Sequence, residues 1–130
     1  WVSRADLFAR SDFVSIHVRL SDRTRSLVGR ADLAALGPQG YLVNTSRAEI
    51  VDQTALLDAL NAGTLGGVAT DVYVNEPATR EQEALLAHPR ALCTPHLGYV
   101  TRETYEVFYQ ETVAGIQAFL KGQPVMVIEP

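Results

Sequence analysis

Three side chains able to do chemistry stand at similar places in this chain of 130 residues, each a few positions beyond an apolar run. Arg47 follows Tyr41-Leu-Val-Asn-Thr-Ser, Glu76 follows Val72-Tyr-Val-Asn, and His96 follows Ala91-Leu-Cys-Thr-Pro. A guanidinium is always charged and presents a planar fork that holds a carboxylate through two parallel hydrogen bonds. An imidazole changes charge near neutral pH and passes protons. A carboxylate beside it orients the ring and favours its protonated form. Together they suit protonation of the carbonyl of a 2-oxo acid, or the reverse step on a 2-hydroxy acid. Each also has a plainer reading. Arg47 serves as a surface ion-pair residue, Glu76 as a solvated turn residue before Pro77, and His96 as a partner for a loop carbonyl.

What would bring the three together is a parallel sheet. Ser3 and Asp6 match a capping box ahead of a short helix over Arg4 to Ala9. Asp12 to Arg19 is rich in β-branched and aromatic residues and reads as a strand. Arg30 to Leu36 reads as a helix closed by Gly37-Pro38, and Gly40 to Thr45 as a second strand. Asp52 caps a helix over Gln53 to Asn61, with Leu56, Leu57 and Leu60 on one face and Gly63 ending it. Leu65 to Val74 is a third strand. Thr79 and Gln82 repeat the capping-box pattern before a short helix near His88-Pro89, and Ala91 to Thr94 is a fourth strand. Thr101 to Lys121 is a long amphipathic helix closed by Gly122, followed by Val125 to Ile128, a candidate edge strand. Strands alternating with helices give an α/β fold whose crossovers return every strand in the same direction. All strand C-termini then share one edge, the edge at which open α/β sheets bind ligands.

The composition narrows the classes of function. The net charge is −4, and no basic stripe marks a nucleic-acid surface. No apolar run approaches the ~20 residues of a membrane span, so neither nucleic acid nor membrane is an expected partner. Cys93 is the single cysteine, which leaves no internal disulfide, offers no thiolate metal site and fits the reducing cytoplasm.

The segments VNTSRAEIVD, ATDVYVNEP and TPHLGYVTRET resemble successive blocks of the D-isomer-specific 2-hydroxyacid dehydrogenases, the D-3-phosphoglycerate dehydrogenase-like proteins among them. The resemblance runs from about Leu7 to the end of the chain. It implies a Rossmann-type NAD-binding domain, of which residues 1–100 are the C-terminal half. Residues 101–130 are then the helix and tail that return to the substrate domain. It also implies roles. Arg47 binds the carboxylate and carbonyl of a small 2-oxo or 2-hydroxy acid, His96 is the acid/base, and Glu76 keeps His96 protonated. Asp71 accepts from the nicotinamide carboxamide, with help from backbone at Thr45, Ser46 and Gly98, while His96 also borders the cofactor. Val18, Arg19 and Thr24 match positions on the adenosine side. A homodimer is implied for the full-length enzyme, and no metal.

Two positions depart from the family pattern. Arg19 stands where a proline is usual, and Tyr99 where a small residue is usual. Glu76 argues against the formate dehydrogenase branch, which resembles this one but carries glutamine there. Gly63-Thr-Leu-Gly66-Gly67 precedes a strand and is not the phosphate-cradling G-x-G-x-x-G, which should follow one. That loop is expected upstream of Trp1, so the chain reads as a fragment that binds NAD weakly or not at all alone. Two alternatives stay open: an NAD-sensing regulatory module resembling corepressors of this fold, and a plain interaction domain in which the three polar residues never meet.

Overall fold

The computed structural model describes residues 1–128, in two compact units, Trp1–Leu97 and a second that begins at Gly98. The first unit is built on four strands, β1 (Phe13–Ile16), β2 (Tyr41–Asn44), β3 (Gly67–Thr70) and β4 (Ala91–Cys93). They pair in parallel in the order β1-β2-β3-β4. Parallel neighbours need a crossover that brings the chain back to the start of the sheet. Here α2 (Arg30–Leu36) joins β1 to β2, and α3 (Gln53–Ala62) joins β2 to β3. A 3₁₀ turn over Ala84–Ala87 lies between β3 and β4, and α1 (Arg4–Arg10) precedes the sheet.

Local chemistry starts and stops these elements. Ser3 caps α1 by accepting from the Asp6 N–H at 3.1 Å, and Asp52 caps α3 by accepting from the Ala55 N–H at 3.0 Å. Gly63 ends α3 in the left-handed region at φ 71°, where a side chain would be strained. Val14, Ile16, Leu42 and Val68 turn one face of the sheet towards Leu33, Leu36, Leu56 and Leu60. Leu33 and Leu42 have no exposed surface at all. Burying each such leucine stabilises the unit by about 1.5–3 kcal/mol. On the opposite face Phe13, Tyr41 and Leu92 stay exposed, and the Phe13 ring stacks on Tyr41 at a centroid distance of 5.1 Å.

The strands are shorter than their apolar runs predict. β1 stops at Ile16 because its ladder partner Asn44 is the last residue of β2, so His17 to Arg19 become loop. β3 keeps only the stretch that pairs with Tyr41 to Asn44, and Leu65 is buried in the turn before it. The short helix predicted to end near His88 is the 3₁₀ segment Ala84–Ala87, capped by Glu83, and the residues from Thr79 that were expected to open it form a turn instead. The Thr79 carbonyl, not its hydroxyl, accepts from the Gln82 and Glu83 N–H groups at 3.1 and 2.9 Å.

In the second unit Thr101 caps α4 (Arg102–Leu120), accepting from the Thr104 N–H at 3.2 Å. The predicted apolar stripe is present and Tyr105 stacks on Tyr109 at 5.7 Å, yet no residue of α4 is buried. Val125 to Ile128 form no strand and are exposed. No helix among the described residues is long and apolar enough to cross a membrane.

Candidate active site

The candidate residues lie past the C-terminal ends of β2, β3 and β4, and each end is fixed by hydrogen bonds to its neighbours. Past β2, the buried Asn44 side chain accepts from the Ser46 N–H at 3.0 Å and donates to the Arg47 carbonyl at 2.9 Å. The Ser46 hydroxyl donates to the carbonyl of Ile16, at the end of β1, at 2.9 Å. Arg47 then emerges exposed with extended backbone (φ −149°), its guanidinium donating to the Ser46 carbonyl at 2.6 Å.

Past β3 and β4, two segments lock together. The Asp71 carboxylate, only 4% exposed, accepts from the Thr94 hydroxyl at 2.5 Å and from the Leu97 N–H at 2.8 Å. The Tyr73 hydroxyl donates to the Thr94 carbonyl at 2.9 Å, and the same carbonyl accepts from the His96 N–H at 3.0 Å. Burial, followed by the neighbouring Cys93, pushes the Tyr73 phenol well above its ordinary range, so it remains a donor. Burial also raises the Cys93 thiol, which keeps it protonated and unreactive. His96 itself sits in the left-handed region at φ 57°. Histidine enters that region more readily than most residues, at a cost of order 1–3 kcal/mol that its surroundings must offset.

This backbone arrangement presents the imidazole to Glu76. His96 Nδ1 lies 2.7 Å from Glu76 Oε2, while Glu76 Oε1 accepts from the Tyr73 N–H at 3.0 Å. Both oxygens of the carboxylate are therefore committed, and the ring orientation is set. Glu76 is held below the usual carboxylate range, first by the His96 hydrogen bond and then by the Tyr73 N–H. The charges of His96 and Arg47 add smaller contributions in the same direction.

The fold thus brings Glu76 and His96 into one hydrogen bond. Arg47 is placed on an adjoining hollow, close enough for its charge to bias Glu76. The Glu76–His96 pair borders a largely apolar pocket of about 440 Å³ with Tyr73, Leu86, Cys93 and Pro95. Arg47 and Ser46 line a shallower hollow of about 360 Å³ with His17 to Leu20, so Val18 and Arg19 lie beside Arg47. Thr24 borders the next hollow along, but its hydroxyl donates to the Arg19 carbonyl at 2.7 Å and accepts from the Ser21 N–H at 2.8 Å. That hydroxyl closes the loop. The Ser46 hydroxyl is similarly committed, its N–H donates to Asn44 and its carbonyl accepts from Arg47, while Thr45 is exposed. Gly98 belongs to the second unit. No group of three His, Cys, Asp or Glu able to hold a metal occurs among the described residues.

Sequence reasoning missed the residues that position these groups: Asn44, Tyr73 and Thr94. A signal existed for one of them. An asparagine ending an apolar strand two residues before a serine is the pattern of a side chain that mimics a backbone turn. Nothing in the linear order connects Tyr73 to Thr94.

Four parallel strands with helical crossovers and polar groups gathered at their C-terminal edge define a Rossmann-like α/β fold. The family model of the D-isomer specific 2-hydroxyacid dehydrogenase NAD binding domain matches residues 1–98, and the chain belongs to that family. It is 32% identical over 124 residues to the glycerate dehydrogenase of Methylorubrum extorquens, spanning 95% of this chain and 40% of that protein. The structure of a phosphoglycerate oxidoreductase from Vibrio cholerae superposes with a TM-score of 0.82 at 43% identity, over 90% of this chain and 38% of that one. A D-lactate dehydrogenase from Aquifex aeolicus, solved with NAD and lactic acid, has a TM-score of 0.79 at 26% identity, over 98% of this chain and 45% of that one. The chain therefore spans less than half the length of each of these relatives.

Proposed function

We propose that this chain supplies the nicotinamide-side catalytic groups of an NAD-dependent D-2-hydroxyacid dehydrogenase. The observation that carries the reading is the 2.7 Å contact between His96 Nδ1 and Glu76 Oε2. A carboxylate on Nδ1 fixes the ring and leaves Nε2 as the atom that exchanges a proton with substrate oxygen. NAD, when bound, supplies the hydride acceptor or donor at the substrate carbon. The residues fit that cofactor. The hollows beyond β1 and β2, lined by Val18, Arg19 and Ser46, lie along the ligand-binding edge of the sheet, and Asp71 ends β3 on the same edge.

In the reducing direction Arg47 grips the substrate carboxylate and draws electron density towards the carbonyl oxygen. His96 donates its proton to that oxygen, and Glu76 stabilises the charged ring before the transfer. In the oxidising direction His96 takes the hydroxyl proton back. The family match ends at residue 98 and the second unit opens at Gly98. Both support a cofactor domain over about residues 1–100, with 101–130 as a separate segment. A homodimer is the assembly proposed for the full-length enzyme.

The test is steady-state NADH oxidation by the native full-length protein against a panel of 2-oxo acids: glyoxylate, hydroxypyruvate, pyruvate and 3-phosphohydroxypyruvate. Turnover of at least one is expected, and Arg47→Ala should lower its kcat/KM by about 100-fold or more through both constants. Tight NADH binding without turnover would point to the NAD-sensing regulatory module instead. An Arg47→Ala protein within about twofold of wild type would overturn the assignment.

A further inference from the structure

The proposed mechanism places a demand on Arg47 that its own contacts do not meet. The side chain is exposed and donates to the carbonyl of the preceding residue. A guanidinium on a loosely held loop would wander by more than the tolerance of a two-point carboxylate grip. In this structure the loop is held from below. Asn44 ends β2 with 3% of its surface exposed, and its amide spans the turn with both of its polar atoms. Oδ1 accepts from Ser46 while Nδ2 donates to the carbonyl of Arg47 itself. The Asn44 carbonyl accepts from the Asp71 N–H at 3.0 Å, which ties the same residue to the end of β3. The Ser46 hydroxyl adds a tether to Ile16 on the other side. The segment that launches Arg47 is thus bonded to the ends of both neighbouring strands.

We infer that Asn44, assisted by the Ser46 hydroxyl, is the positioning residue of the substrate-carboxylate site and acts through Arg47. This rests on the dehydrogenase reading and extends it to a residue that touches neither substrate nor cofactor. The side-chain chemistry is restrictive. The site needs one acceptor and one donor on a short planar group, which asparagine provides. Aspartate keeps the acceptor but turns a carboxylate oxygen towards the Arg47 carbonyl, and alanine leaves both the Ser46 N–H and the Arg47 carbonyl without this partner. A misplacement of about 1 Å in a positioning group costs up to roughly 100-fold in rate. Loss of the Asn44 amide should therefore be visible at the substrate long before the sheet fails.

A double-mutant cycle in the native full-length protein separates this role from general stabilisation. Asn44→Ala should lower kcat/KM for the preferred 2-oxo acid by about tenfold or more, with the rise in KM exceeding the fall in kcat. In the Arg47→Ala background the same change should cost less than about twofold, because the group it positions is gone. A thermal melt of each variant accompanies the kinetics. If Asn44→Ala does not fold, Ser46→Ala removes the outer tether alone and carries the same cycle, with a smaller loss and the same non-additivity. Losses that multiply in the double variant, or an Asn44→Ala enzyme within about twofold of wild type, overturn the inference while leaving the dehydrogenase reading standing. A wild-type protein that turns over no 2-oxo acid removes both.

Discussion

Asp71→Ala is the most demanding test of how the site is held. The carboxylate is 4% exposed and accepts from the Thr94 hydroxyl at 2.5 Å and the Leu97 N–H at 2.8 Å. Hydrogen bonds to a charged group contribute about 1.5–3 kcal/mol each to stability. Both donors belong to exposed residues, so water can replace part of what alanine removes, and the lower end of the range applies. The expected loss is about 3 kcal/mol for the pair. The first unit, Trp1–Leu97, unfolds with an entropy of about 0.2 kcal/mol per kelvin near its midpoint, so its Tm should fall by about 15 °C. Asp71→Asn preserves shape and one acceptor while losing the charge, and should lose about half as much. Because Thr94 and Leu97 flank His96, turnover should fall along with stability, by about tenfold in kcat for the alanine variant. The assay is thermal unfolding by circular dichroism on the native protein, paired with NADH oxidation. A Tm within about 2 °C of wild type for Asp71→Ala would show that the latch does not bear on the fold and that the account of His96's placement is wrong.

The Glu76 carboxyl titrates below its ordinary value, so its contribution to the folded state is complete above about pH 4.3 and disappears as pH falls through the lowered value. The Tm difference between wild type and Glu76→Gln should therefore hold steady from neutral pH to about 5 and close in stronger acid. A gap that widened on acidification would refute this sign. Gly66→Ala probes the sheet's entrance: a Cβ there would meet the Gly40 carbonyl oxygen at 2.7 Å, and backbone on both sides cannot yield as a side chain would. A loss of about 1–3 kcal/mol in urea denaturation is expected, and an unchanged midpoint would mean the two turns separate freely.

Much of this architecture was legible in the linear order. Capping residues announced α1 and α3 to within a residue or two, since Ser3 and Asp52 act on N–H groups only three positions away, and amphipathic spacing announced α4. The apolar runs announced four strands and their alternation with helices, hence a parallel sheet with its C-termini on one edge. Strand lengths were overestimated because β propensity describes a residue, whereas a ladder ends where its partner ends. The turn at Thr79 to Gln82 was misread for a related reason. A hydroxyl and a backbone carbonyl compete for the same N–H groups, and here the carbonyl has them.

What composition, spacing and family resemblance determined was the inventory: Arg47, Glu76 and His96, each stationed just past a strand, and the NAD-binding family to which the chain belongs. Only the tertiary structure decided which of them meet. Glu76 and His96 are joined at 2.7 Å across 20 positions of chain, through a bond that Tyr73, Thr94 and Asp71 hold in place from two different strand ends. Arg47 is instead set on the neighbouring hollow by Asn44, whose amide looked like an ordinary strand-ending polar residue. The physical reason is one of range. Caps and periodicity are local and are written in adjacent residues, but a hydrogen bond between strand ends exists only after the sheet has set its register.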